Sequence, residues 1–462
     1  MISKRRACLW EKLEKMISEE PLFDKDEKFR HLQQSSLWQF VDEGRVLSCL
    51  KKPKNDGDLP LRNTNGCQLK EGSDKQPETQ ESTKDKNVVG SFPGGDITSY
   101  SDLACGRLKR SAIMENQSVV RLIYKKSGNS IIALLSNGYH VVWFWPIGPD
   151  NGDGMASAVS IAELKHPPLR PTIDGEIIDT QSSRVELSND DSLLFSSSGT
   201  KISVFNLSTS ELLIDFSFSP LATSCFALTE DYTAALGKSD FSIEIYELFQ
   251  DYSINVLHGH TQRITGLAYS SNARLLASSG ADNQIFIWNA EDWHMQKRTD
   301  LEIPFHWSTA SSSNPQVYFH GNGTHLLVSH ESQLVMYEVA TLQITAFRWI
   351  VNPHSAPITT AAFSSECRLI FSTFLDGTIR IFLVDERCTY VQSICRIRPS
   401  SYIPIDHFDL YPTSLSAHPF SEEQFAVGLN NGDVIVFEPV YDWGDNESFA
   451  WQQSTASSSL QC

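Results

Sequence analysis

Apolar residues in this chain come in short runs cut by turn-forming residues, and the set of runs recurs. The clearest set is HGHTQRITGLAYSSNARLLASSGADNQIFIWN, residues 258–289. ITGLAY (264–269) alternates apolar with small or polar residues, the period of a strand with one buried face. Ser270-Ser271-Asn272 reads as a turn and LLASS (275–279) as the next strand. Gly280-Ala281-Asp282-Asn283 reads as a tight hairpin turn, and IFIW (285–288) as a third strand ending on an aromatic. An acidic or small residue followed six positions later by an aromatic marks seven such sets. The pairs are Asn137/Trp143, Gly199/Phe205, Asp240/Tyr246, Asp282/Trp288, Glu331/Tyr337, Asp376/Phe382 and Asn431/Phe437. Successive aromatics lie 62, 41, 42, 49, 45 and 55 residues apart. A repeat near 40–45 residues with this punctuation predicts an all-β chain, a seven-bladed β-propeller over residues 100–440.

His260, Ser278, Asp282 and Trp288 have the spacing of a WD-type blade. In such a blade the polar groups form one buried network, each bond worth about 0.5–1.5 kcal/mol net. His354, Ser372, Asp376 and Phe382 repeat the offsets, so a second network, shortened by the loss of the indole, is expected there. The remaining five blades keep the pair and lose most of the network, as in SLLFSSSGTKISVFNL (192–207) and QFAVGLNNGDVIVFEP (424–439). A Ser–His–Asp set invites a catalytic reading, but in this repeat the same spacing is structural.

Beyond the repeats, residues 5–20 read as a short amphipathic helix with Leu9, Trp10, Leu13, Met16 and Ile17 on one face, within a helical segment 1–50. Residues 51–99 are polar, with Phe92 the only aromatic, and read as a disordered linker. Residues 441–462 read as a loose tail. The ring is expected to close with a strand from one terminus, from 100–112 or from beyond 438. The long intervals mark insertions at 147–183, 289–315 and 385–412, where contact loops are expected.

Composition changes this picture little, and charge changes it more. Forty per cent of residues are hydrophobic, as a globular core needs. No apolar run is long enough to span a membrane and the N-terminus has no secretory h-region. Nine scattered cysteines show no metal spacing, so no metal or other cofactor is expected. The net charge is −18. Residues 1–100 carry 17 basic and 17 acidic side chains, so the whole excess falls on 101–462, 21 basic against 39 acidic. An acidic ring is a poor phosphate-backbone binder, and no direct nucleic-acid contact is expected. Protein partners, including basic ones, suit it better.

RITGLAYSSNARLLASSGADNQIFIWNAEDWHMQKR (263–298) resembles the Topless and Topless-related transcriptional corepressors of plants. So do RLIYKKSGNSIIALLSNGYHVVWFW (121–145), SAPITTAAFSSECRLIFSTFLDGTIRIF (355–382) and AHPFSEEQFAVGLNNGDVIVFEP (417–439). The resemblance covers about 120–440 and follows the last seven repeats of that family. It implies a non-catalytic nuclear scaffold, with the cytoplasm as a second location, that binds transcription factors and chromatin or corepressor-complex proteins. The family's helical LisH/CTLH region and its first propeller are not legible in residues 1–100. No repression-motif pocket transfers to any residue here, and a chain with the second propeller alone is expected to be monomeric. Arg263, Ala281, His330 and Leu375 occupy the turns where a partner-binding face is expected. The alternative is a generic WD adaptor such as a ubiquitin-ligase substrate receptor. Against it, the best blade ends Trp288-Asn289-Ala290-Glu291, without the arginine such receptors carry.

Overall fold

The computed structural model describes residues 103–148, 152–169, 183–217, 221–249, 252–305, 307, 314–352, 354–385, 388, 391–403 and 409–439. The expected N-terminal helix, polar linker and C-terminal tail lie outside these residues. The described residues form 28 strands in seven four-stranded antiparallel sheets. The first strands of neighbouring sheets touch, so they lie nearest the axis, and each sheet runs outward from there. This is a seven-bladed β-propeller.

Middle strands are buried on both faces, so they read as unbroken runs of apolar and small residues, such as Ser130–Leu135 and Phe425–Leu429. The outermost strand of blade four, Met295–Asp300, is wet and reads as polar, whereas that of blade five, Ile344–Ile350, keeps apolar residues. This corrects the reading of the long intervals. The stretches 147–183, 289–315 and 385–412 are not insertions alone, because each holds the outermost strand of its blade: Glu163–Leu169, Met295–Asp300 and Val391–Ile397.

Blades adhere through apolar seams. Leu122 and Trp143 of blade one pack in a cluster with Val434 and Val436 of blade seven, and Ile285 and Ile287 of blade four with Leu326 and Val328 of blade five. Between blades two and three, Phe195 and Tyr232 lie 5.7 Å apart. Each fully buried side chain of this size contributes about 1.5–3 kcal/mol.

Blade seven closes the ring with the N-terminal side of the propeller. Leu103–Arg107 pairs antiparallel with Val434–Pro439, from Leu103 opposite Pro439 to Arg107 opposite Ile435. The junction is fastened by charge. Asp433 is almost fully buried; Arg110 Nε lies 2.5 Å from its Oδ1 and Arg107 Nη1 3.5 Å from its Oδ2. Arg110 Nη2 also donates to the Asn431 carbonyl at 2.9 Å. Between them Gly432 has φ +88, and a Cβ there would lie 2.8 Å from the carbonyls of Met114 and Gln117. Only glycine fits that turn.

Candidate functional site

The blade-four residues form one continuous chain of hydrogen bonds. The Trp288 indole donates to Ser278 Oγ at 3.0 Å. Ser278 Oγ lies 2.9 Å from His260 Nε2, and His260 Nδ1 lies 3.1 Å from Asp282 Oδ1. The Thr261 and Gln284 amides donate to the same carboxylate at 2.7 and 3.1 Å. Burial alone would raise the Asp282 carboxyl, but the bonds from His260 and the two amides outweigh it, and it stays below the usual range. The imidazole fits because position 280 is glycine, and the Phe286 ring against it fits because position 259 is glycine. A Cβ on Gly280 would lie 2.6 Å from His260 Nδ1, and one on Gly259 would lie 2.9 Å from the Phe286 ring. Ser278 Oγ is sealed between the indole and the imidazole and is fully buried. It cannot meet a substrate as a nucleophile.

Blade six does not repeat the network. His354 is exposed, and among the described residues no bond joins its ring to Ser372 or Asp376. Ser372 Oγ is buried without a hydrogen-bond partner among those residues. The cause is one position. Gly280 pairs with Ile264 in blade four, and its counterpart Phe374 pairs with Ile358 in blade six. Phe374 is buried against Trp349, ring centroids 5.7 Å apart, where blade four needs the absence of a Cβ to admit the imidazole. Phe382 packs on Trp349 at 5.4 Å instead of closing a polar chain.

The recurring acceptor has a more local task. Asn137, Asp240, Asp282, Asp376 and Asn431 each accept the amide two residues on, at 3.2, 3.1, 3.1, 2.9 and 3.0 Å. These are Asx-turns, which the side chain closes without help from the rest of the blade. Blades two and five turn in two residues instead, between Ser198 and Lys201 and between His330 and Gln333.

That shorter turn displaces one expected partner-face residue. The blade-five register sets His330 level with Gly280 rather than Ala281. His330 is buried, with Nδ1 2.7 Å from Ser332 Oγ, and burial pushes its imidazole down to about 4. It is not a surface residue. Leu375 is 46% exposed, whereas Arg263 and Ala281 are half-buried, with Arg263 Nη2 3.3 Å from Asn314 Oδ1.

The axis itself is partly filled. From blade two, Arg184 Nη2 donates to the Thr265 carbonyl of blade four at 3.0 Å and to Gln316 Oε1 of blade five at 3.2 Å. Nearer the turns that join first and second strands, a cavity of about 250 Å³ opens between blades one to four. Glu186 lines it beside Lys126, Tyr232 and Tyr269. Burial pushes the Glu186 carboxyl up to about 7, against the pull of Lys126 and Arg184. Sequence reasoning missed this site because its residues come from four blades and share no motif. Among the described residues no cluster could hold a metal ion, and no helix is long and apolar enough to cross a membrane.

The family model for the WD domain, G-beta repeat, matches residues 252–289 and 346–382. Protein TPR3 of Oryza sativa subsp. japonica is 36% identical over 381 residues, covering 80% of this chain and 33% of the relative. Topless-related protein 1 and Protein TOPLESS of Arabidopsis thaliana are 35% and 33% identical over 380 residues, with the same coverage. A match over four fifths of the chain necessarily takes in most of the ring. The propeller is of the Topless family. The chain spans about a third of the length of these Topless relatives.

Proposed function

We propose that this chain is a non-catalytic scaffold of the Topless corepressor type, acting in the regulation of transcription in the nucleus. The observation that carries the reading is identity of 33–36% to Topless proteins across four fifths of the chain. The closed ring supports it, because seven rigid sheets hold many loops in fixed relation. The chemistry supports it too: the one Ser–His–Asp chain found among the described residues is sealed and committed to holding blade four together. The partners are transcription factors and chromatin or corepressor-complex proteins, met in part by the turns carrying Arg263, Ala281 and Leu375. The net charge of −18 disfavours direct nucleic-acid binding. The isolated chain is a monomer.

The test joins two measurements. The chain fused to a DNA-binding domain should repress a reporter, and affinity capture from nuclear extract should return transcription or chromatin proteins. Absence of both effects would remove the reading, and capture of ubiquitin-ligase subunits in their place would favour an adaptor. A stable tetramer in light scattering at micromolar concentration would contradict the monomer.

A further inference from the structure

Two carboxylates, Glu186 and Glu230, line the cavity between blades one to four. The aspartates close to them in sequence are committed. Asp191 accepts the amides of Lys126 and Ser127 at 2.8 and 2.7 Å. Asp190 accepts from the hydroxyls of Ser188 and Ser192 at 2.6 and 2.8 Å, and Asp231 accepts from Thr229. Lys126, the cation of the wall, has its Nζ 2.5 Å from Asn189 Oδ1. Glu186 is drawn by the charges of Lys126 and Arg184, but no hydrogen bond or close ion pair joins it to a described residue. It projects between Val185 and Leu187, which are buried against blade one, so alternation along the strand turns it away from that seam. A half-buried carboxylate left unpaired is costly, and a cation that pairs with it recovers the cost.

We propose that this cavity receives the ammonium or guanidinium of a Lys or Arg side chain carried on an extended segment of a partner protein, with Glu186 as its counter-ion. Its 250 Å³ lies below the ~300–1,000 Å³ of pockets that take whole small molecules, and suits a single long side chain. The wall has the two textures such a side chain needs. Ile123, Leu228 and Tyr269 offer apolar surface to the methylene stem, and Glu186 offers charge to the head. The acidic excess of residues 101–462 draws a basic segment to the ring before any contact forms. This deepens the scaffold reading and rests on it only for the partner being a protein.

The test is fluorescence anisotropy on the full chain with labelled short Gly/Ser peptides bearing Lys, Arg or Gln, and with spermidine as competitor. The Lys or Arg peptide should bind saturably and the Gln peptide should not. Glu186→Gln should weaken binding about tenfold or more, without lowering the melting temperature. Glu163→Gln, which removes an exposed charge from the outer strand of blade one, should leave binding unchanged. Equal binding by wild type and Glu186→Gln, or equal weakening by Glu163→Gln, would overturn the site. Spermidine as tight as the peptide would overturn the assignment to a protein segment. Failed peptide binding with nuclear capture intact would sink this inference alone. Glu186-dependent binding with no transcription proteins captured would sink the scaffold reading alone.

Discussion

Ser278 and Ser372 occupy the same position in two blades, yet truncating them should act in opposite directions. Ser278→Ala removes the group that accepts from the Trp288 indole at 3.0 Å and faces His260 Nε2 at 2.9 Å. Both partners stay buried. Each buried polar atom left without a partner costs about 1–3 kcal/mol, so the expected loss for the two is about 2–6 kcal/mol. Ser372→Ala removes a buried hydroxyl that has no partner among the described residues. No bond is broken and a desolvated polar atom disappears, so stability should stay within about 0.5 kcal/mol or rise by about 1 kcal/mol. Urea unfolding of both variants beside wild type, followed by tryptophan fluorescence, reads the difference as a shift in midpoint at constant slope. Equal destabilisation by the two substitutions would mean that Ser372 is bonded and that Phe374 does not exclude the network from blade six.

Three further substitutions or conditions follow from the geometry. Gly280→Ala should cost about 1–3 kcal/mol, because its Cβ would lie 2.6 Å from His260 Nδ1, while Gly148→Ala, with open space around it, should be neutral in the same unfolding assay. Asp433→Ala should cost about 1–3 kcal/mol by removing the carboxylate that accepts from Arg110 and Asn431, and hydrogen exchange should rise at 103–107 more than at 285–288; a uniform rise would refute a local fastening role. Burial holds His140 and His330 down to about 4, against an ordinary value near 6.5. The unfolded chain therefore takes up protons first as pH falls, so stability is full above about 6.5 and is lost toward 4, by about 3 kcal/mol for each imidazole. Urea midpoints measured across that window check the sign, and a midpoint that rises on acidification would contradict it.

What was readable in the sequence follows the range of each interaction. Asx-turns and strand alternation are local, so blade number and the turn acceptors Asp240, Asp282 and Asp376 stood out. The failure at His354 was also open to a local reading, since Phe374 stands where Gly280 must be. His330 was misplaced because the six-residue spacing of Glu331 and Tyr337 survives while the turn before it is one residue shorter. The cavity around Glu186 was not legible: its walls meet only once the ring closes, and no spacing along the chain encodes that meeting. The outer strand Met295–Asp300 carried no apolar signal because it faces water.

Closure by Leu103–Arg107 also sets an order of events on the ribosome. The partner strand ends at Pro439, so the last blade cannot form until some 336 further residues have been made. At ~5–20 residues per second that is a wait of about 20–70 s. Through it, LACGR must remain an unclaimed strand beside six blades rich in unpaired edges. Its brevity, its glycine and its arginine make it a weak competitor for those edges. The same weakness explains why the finished junction carries the Arg107, Arg110 and Asp433 clasp: a strand poor enough to wait safely needs charge to hold it once its partner arrives.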